Sequence, residues 1–367
     1  MQNNFLNRGI FFLLLLILSF AVCVPLEAQT GRQSVVVEVT EIIELPPAGD
    51  TGTARVLFTF KSGPEAGDTY LHRSHQWGHG DYDKSFERGD QFVATVEYEA
   101  GERQRFILGQ QRRELRLIGL FIVVSLLLFA VGRWEGMAGL GATILTVLLL
   151  FYLLFPFVFI GRIILPAGIF ICLATIVITI LLVMRGARAT LPTILALAAV
   201  FLIIFLLTIF GLNYLHLDAS LARHSRLILM RIQTEAGIGT DELWKLITVG
   251  IVLSTLGAVM DVAVVIGSTI DEISRDRPDI TLRRSFKSGM KVGAEILSTM
   301  INTLIFAYLG LMFPLILALH VFGIPWLRFI NYNFVGIEIL RAFVGLVGLS
   351  VTIPLTSIFS AWWCREQ

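Results

Sequence analysis

Asp261 is the residue whose type and surroundings most call for chemistry. It is the one charged residue between Lys245 and Asp271, in an otherwise apolar run. A carboxylate at the centre of a bilayer costs about 2.5–3.5 kcal/mol on insertion scales, so it is kept where it works or is paired. Gly250, Ser254, Gly257, Ala258 and Ser268 recur with it every three or four residues. That small-residue face suits close helix contact or a lined pathway. The next apolar segment carries Glu295, Ser298, Thr299 and Asn302 at the same spacing. Counted from Asp271 and Lys291, Asn302 reaches the depth of Asp261, with Glu295 nearer the inner mouth. Asp261, Asn302, Glu295, Ser268 and Ser298 are therefore the expected ion or substrate ligands. Each step of such a path needs an oxygen ligand or proton acceptor. The competing reading is structural: a protonated Asp261 hydrogen-bonded to Asn302 would tie two helices together. Glu338 and Arg341, three apart on one face, are expected to pair with each other.

A second cluster, His72, His75 and His79 with Asp81 and Asp83, combines imidazole and carboxylate. Those groups suit zinc or another divalent transition metal, while the Gly-rich, polar setting suits a solvated loop. Enzyme signatures are missing: there is no phosphate-binding loop, no His-Glu-x-x-His and no Gly-x-Ser-x-Gly. Intramembrane aspartyl proteolysis would need a second aspartate at the depth of Asp261, and no other apolar segment supplies one. The expectation is a protein that is no enzyme and needs no cofactor.

The elements that position these residues are set by composition. Of 367 residues 55% are hydrophobic and only 16% charged, with a mean hydropathy of +0.77. Soluble domains carry about 25% charged residues, so the principal partner is the lipid bilayer. A net charge of +1 and the lack of a basic run argue against nucleic acid. Cys23, Cys172 and Cys364 lie too far apart for a disulfide framework or a cysteine metal site.

Residues 1–28 read as a signal peptide or an uncleaved anchor. Arg8 precedes the apolar run Ile10–Val24, and Ser19 and Ala21 offer small residues at a cleavage site. Either outcome exports the polar segment from 29 onward. Residues 29–114 alternate at period 2, as in Val35/Val37/Val39, Val56/Phe58/Phe60 and Phe92/Ala94/Val96/Tyr98. Pro46–Asp50, Ser62-Gly63-Pro64 and Arg88-Gly89-Asp90 punctuate them as turns. Four or five strands in this length predict a small all-β domain, OB-like in form.

From 115 to 362 the chain reads as a polytopic helical membrane domain with a short tail, 363–367. Seven spans are expected at 115–132, 137–156, 163–184, 191–213, 246–268, 292–313 and 336–358, since helices satisfy their own backbone in lipid. Pro314 leaves 292–322 open between one long helix and two shorter insertions. Leu217, Leu221, Ile228, Leu229 and Ile232 predict an amphipathic helix lying on the outer surface or over the bundle mouth. With the β-domain exported, Arg133, Arg185, Arg188, Arg275, Arg277, Arg283, Arg284, Lys287, Lys291 and Arg365 all fall inside. Arg162, Arg223, Arg226, Arg231 and Arg328 fall outside. So do Arg112, Arg113 and Arg116, which count against the positive-inside rule but belong to the tail of the exported domain, where charge bias matters less. The remaining balance obeys the rule.

The run Leu256-Gly257-Ala258-Val259-Met260-Asp261-Val262-Ala263-Val264, continuing to Glu272, resembles the YibE/F family of bacterial multi-spanning membrane proteins. The likeness extends over roughly 115–362, including Arg185-Gly186. Ile266-Gly267-Ser268-Thr269 stands where the family often has alanine and two serines, a departure that keeps the positions small and hydroxylated. The resemblance implies a transporter or permease of the inner (cytoplasmic) membrane and marks Asp261, but names no substrate. Two functions are expected on this basis. One is a secondary carrier or channel for an unidentified small solute or ion. The other is a non-transporting scaffold or sensor whose exported domain binds a ligand or protein partner.

Overall fold

A computed structural model describes residues 32–44, 54–74, 87–99, 102–154, 156, 163–184, 188–217, 240–277 and 279–366. The chain divides into two compact units at Val131 and Gly132. The signal segment, the turn at Pro46–Asp50 and the amphipathic segment from 218 to 239 lie outside the described residues.

The first unit holds five antiparallel strands: β1 (Arg32–Glu44), β2 (Ala54–Phe60), β3 (Thr69–Ser74), β4 (Gln91–Glu99) and β5 (Glu102–Gln111). Their order across the sheet is β3-β2-β1-β4-β5. Three consecutive strands followed by a fourth that returns beside the first make a Greek key. Alternation puts Val35, Val37, Val39, Val56, Phe58, Phe60, Ala94, Val96 and Leu108 into one buried core. The sheet curls far enough that its two outermost strands meet. Tyr70 on β3 and Phe106 on β5 bring their ring centroids within 4.5 Å. Such a curled, five-stranded Greek-key sheet is a partly open barrel of the OB type. Bulges in β1 between Val39 and Glu41, and between Ile42 and Glu44, add the bend this closure needs. Gly63 makes its turn with φ 94°, and Ser62 Oγ accepts the Val36 N–H at 2.8 Å.

Seven helices among the described residues are long and apolar enough to cross a membrane. The first, α1 (Glu114–Arg133), comes directly after β5. It breaks from α2 (Gly136–Leu154) at Arg133, whose φ is 48°. The second unit continues with α3 (Ile164–Val183), α4 (Thr190–Tyr214), α5 (Thr240–Asp276), α6 (Leu282–Val321), the short α7 (Trp326–Ile330) and α8 (Asn333–Glu366). The sequence left 292–322 open between one helix and two. It is one helix, unbroken past Pro314.

α5 is the central helix and lies against α3, α4, α6 and α8. Glycines set the close approaches and fix the register. Gly168 of α3 abuts Val249, and Gly267 of α5 abuts Met184 and Thr193. Gly293 of α6 fits between Ile266 and Ile353, and Gly289 between Ile270 and Ser357. Gly348 of α8 meets Ile204 and Val259. Residue numbers therefore rise together along α3, α5 and α8 and run oppositely along α4 and α6. The shared core holds Ile176, Ile180, Leu197, Ile204, Leu256, Val259, Ile266 and Val344.

Candidate functional site

The depth of Asp261 can be read from its neighbours. α3 has 20 residues, so it is about 30 Å long and just spans a hydrocarbon core. It flanks α5 from Val249 to Gly267. Asp261 lies inside that interval, about 9 Å along the helix from Gly267. α5, α6 and α8, with 37, 40 and 34 residues, are longer than the apolar layer is thick. Their overhang gathers Arg275, Arg277, Arg283, Arg284, Lys287 and Lys291 at one end of the bundle, the basic end.

Asp261 points away from the helix core. Gly250, Ser254, Gly257, Asp261, Val265 and Ser268 form the exposed stripe of α5, between buried Val259, Val262, Ala263 and Ile266. No atom would obstruct a β-carbon at Gly250 or Gly257, so this face stands open among the described residues. By the register of Gly293 beside Ile266, Asp261 is level with the turn Ser298–Thr299 of α6. Glu295, Ser298 and Asn302 are exposed there too, so the two polar rows lie at one depth. Ser298 Oγ donates to the Glu295 carbonyl at 2.9 Å. Asp261 and Asn302 share no hydrogen bond.

One polar contact went unnoticed in the sequence. Tyr308 of α6 lies beside Ser254 of α5, whose Oγ donates to the Ile251 carbonyl, and within electrostatic reach of Glu338 and Arg341 of α8. Arg341 donates from Nη1 to both Glu338 oxygens at 2.8 Å, while its buried Nε has no partner among the described residues. Tyr308 and Glu338 also line a cleft between α6 and α8 with Ile305, Leu309, Met312, Ile339 and Ala342. The expected Glu338–Arg341 pair is therefore present, with Tyr308 of the neighbouring helix within electrostatic reach of it. The pair is only 21–25% exposed, so removing one partner strands a charge in a poorly solvated place. Arg341→Met is expected to cost about 3 kcal/mol. Glu338→Gln added to it should restore most of that, as read by thermal unfolding in detergent.

In the barrel, His72 of β3 faces aromatic neighbours. Its ring centroid lies 5.7 Å from Phe106, 6.1 Å from Phe58 and 6.5 Å from Tyr70. Burial pushes its imidazole pKa below the usual value. His75, His79, Asp81 and Asp83 lie outside the described residues. Among the described residues no three His, Cys, Asp or Glu side chains are placed to hold a metal. A histidine whose folded pKa lies below its unfolded value of about 6.5 prefers, once protonated, the unfolded chain. Stability is then full above that value and falls as the pH drops through it towards the folded pKa. Protection factors of β2 and β3 amides should decline between about pH 7.5 and pH 5, and His72→Phe should flatten that decline.

The chain matches the family described as YibE/F-like protein over residues 120–366, from within α1 to the end of α8. No curated protein and no solved structure matches it. The match spans well over half the chain and every helix of the second unit, so the chain belongs to the YibE/F-like family.

Proposed function

We propose that this YibE/F-like membrane protein is a secondary carrier or channel whose ion path runs along the open face of α5, past Ser254, Asp261 and Ser268. Glu295, Ser298 and Asn302 of α6 line the same depth. The observation that carries this reading is Asp261 itself: a carboxylate inside the apolar layer, on an open face, with no hydrogen bond or ion pair among the described residues. Intramembrane carboxylates almost always face a bundle interior or a water-filled cavity. A helix tether would engage Asn302, and it does not. Asp261 is then the proton or cation acceptor, and the basic end of the bundle is cytoplasmic, with the β-barrel outside the inner membrane. The barrel captures solute or docks a partner before delivery to the helices.

Difference infrared spectroscopy on the detergent-solubilised full chain tests the site, using Asp261→Asn to assign the carboxyl band. A band that titrates and shifts with one particular cation supports the path. A carboxyl that stays protonated at every accessible pH and ignores all ions sinks it. That result would favour the scaffold or sensor, whose partner binding through the barrel should survive Asp261→Asn.

A further inference from the structure

Threonine and serine in an apolar helix ordinarily donate to the carbonyl one turn back on their own helix. Thr208, Thr248, Thr255 and Thr352 do so, at 2.6–2.9 Å. Thr356, Ser357 and Ser360, further along α8, do not. All three are fully buried, and their hydroxyl oxygens have no partner among the described residues. Thr193, in the first turn of α4, is the same. A buried hydroxyl left unsatisfied costs about 1–3 kcal/mol, so four in one region ask for a missing partner.

The four occupy one band near the basic end. Thr193 Oγ1 lies against Gly267 of α5, and Ser357 Oγ lies against Gly289 of α6, which Ile270 of α5 also abuts. Thr356 and Ser360 fall within a turn of Ser357 on α8. Asp271 of α5 is at the same level, 6% exposed, and Cys364 of α8 is within its electrostatic reach. Asp271 accepts the Arg188 backbone N–H at 3.2 Å through Oδ1 and pairs with Arg275 at 2.9 Å through Oδ2. Arg188 and Arg275 lie within the same electrostatic reach of Cys364, but both side chains are exposed, so the carboxylate is the buried charge described in this band. Hydroxyl and carboxylate oxygens with no nitrogen or thiolate ligand suit a hard cation. One buried carboxylate, partly balanced by the solvated Arg188 and Arg275, suits at most a single positive charge rather than two.

We infer that Thr193, Thr356, Ser357, Ser360 and Asp271 form a binding site for one small monovalent cation, of which sodium is the natural probe. The site is separate from Asp261, which lies about 9 Å along α5 from the level of Thr193 and about 15 Å from Asp271. The full chain, purified in detergent, should bind radioactive sodium saturably. Unlabelled sodium should displace it, and choline should not. Thr356→Val combined with Ser357→Ala and Ser360→Ala should weaken binding at least about tenfold, equivalent to about 1.4 kcal/mol. Asp271→Asn should weaken it as well.

Thermal unfolding guards against a variant that merely misfolds. At equal ionic strength, sodium should raise the melting temperature of the wild type relative to choline. The hydroxyl variant should melt in choline no lower than the wild type, because it loses unsatisfied groups, and should show no sodium increment. The absence of saturable binding, or binding that the hydroxyl variants leave unchanged, would overturn the assignment and give the band to buried water alone. Loss of binding in Asp261→Asn with retention in the hydroxyl variants would overturn it too, moving the ion to the α5 face.

Discussion

Asp261→Asn is expected to reduce cation- or proton-coupled flux in proteoliposomes to below about a tenth of the wild-type rate, a loss worth at least about 1.4 kcal/mol. The amide keeps the size of the side chain and its hydrogen-bonding capacity. It can neither release a proton nor offer a charged oxygen. The exposed position makes the substitution structurally mild, because Asp261 has no hydrogen bond or ion pair to lose among the described residues. Wild-type and variant chains should therefore elute alike in size-exclusion chromatography and melt within about 1 kcal/mol of each other. A pH-sensitive dye trapped in the vesicles, with a panel of alkali cations outside, reads the flux. Unchanged flux with unchanged folding would remove Asp261 from any path. A large loss of stability would instead identify a tether that the open face gives no sign of.

That prediction depends on which way a helix face points, and there the sequence was least informative. Periodicity placed Gly250, Ser254, Gly257, Asp261 and Ser268 on one stripe, and the structure keeps them together. Small residues repeat in the same way whether a face is covered or open, so their spacing left contact and pathway equally available. The buried alternative, Val259–Ile266–Ile270, faces the core because its volume fills the space between α4, α6 and α8. Depth was easier to read, since counting residues from the charged ends needs only the helical rise. The barrel was legible strand by strand because one face of each strand is apolar and the other polar. Its closure was not, because it depends on Tyr70 and Phe106 meeting across strands far apart in the sheet order.

The hydroxyl band and the length of α6 were missed for related reasons. Thr352, Thr356 and Ser360 are spaced four apart and Ser357 adjoins them, a pattern visible in the sequence. Hydroxyls in apolar helices usually satisfy themselves, so only their actual hydrogen bonds reveal which ones have not. For α6, Arg283, Arg284, Lys287 and Lys291 counted only as inner-side charges before a span at 292–313. The structure makes them the charged face of a helix that begins at Leu282. The opposite face, Ser285, Gly289 and Gly293, is buried against α5 and α8. A window that sums hydropathy cannot separate the two faces of one turn.

That narrow seam makes α6 the helix most easily displaced. Only 11% of its most apolar window is buried, and Ser285, Gly289, Gly293, Leu304 and Leu319 account for its buried residues. Gly289→Leu and Gly293→Leu each put a side chain where Ser357 or Ile353 already sits. Helices cannot yield there without separating, and overpacking costs about 1–3 kcal/mol at each site. The two positions share neighbours on α5 and α8, so the double variant should not be additive. It is expected to melt far below the wild type or to lose α6 from the bundle, which protease cleavage between Arg277 and Thr281 would report. Gly310→Leu is the matched control: it adds the same side chain to α6 at a position where nothing lies within reach, and its melting temperature should be unchanged. Displacing α6 also carries Glu295, Ser298 and Asn302 away from the depth of Asp261 and withdraws Gly289 from Ser357. A double variant that still folds should lose both ion flux and sodium binding, although neither glycine is a ligand. Retention of both activities would mean that α6 contributes nothing to either site beyond its presence, and that α5 and α8 hold the ion-binding groups by themselves.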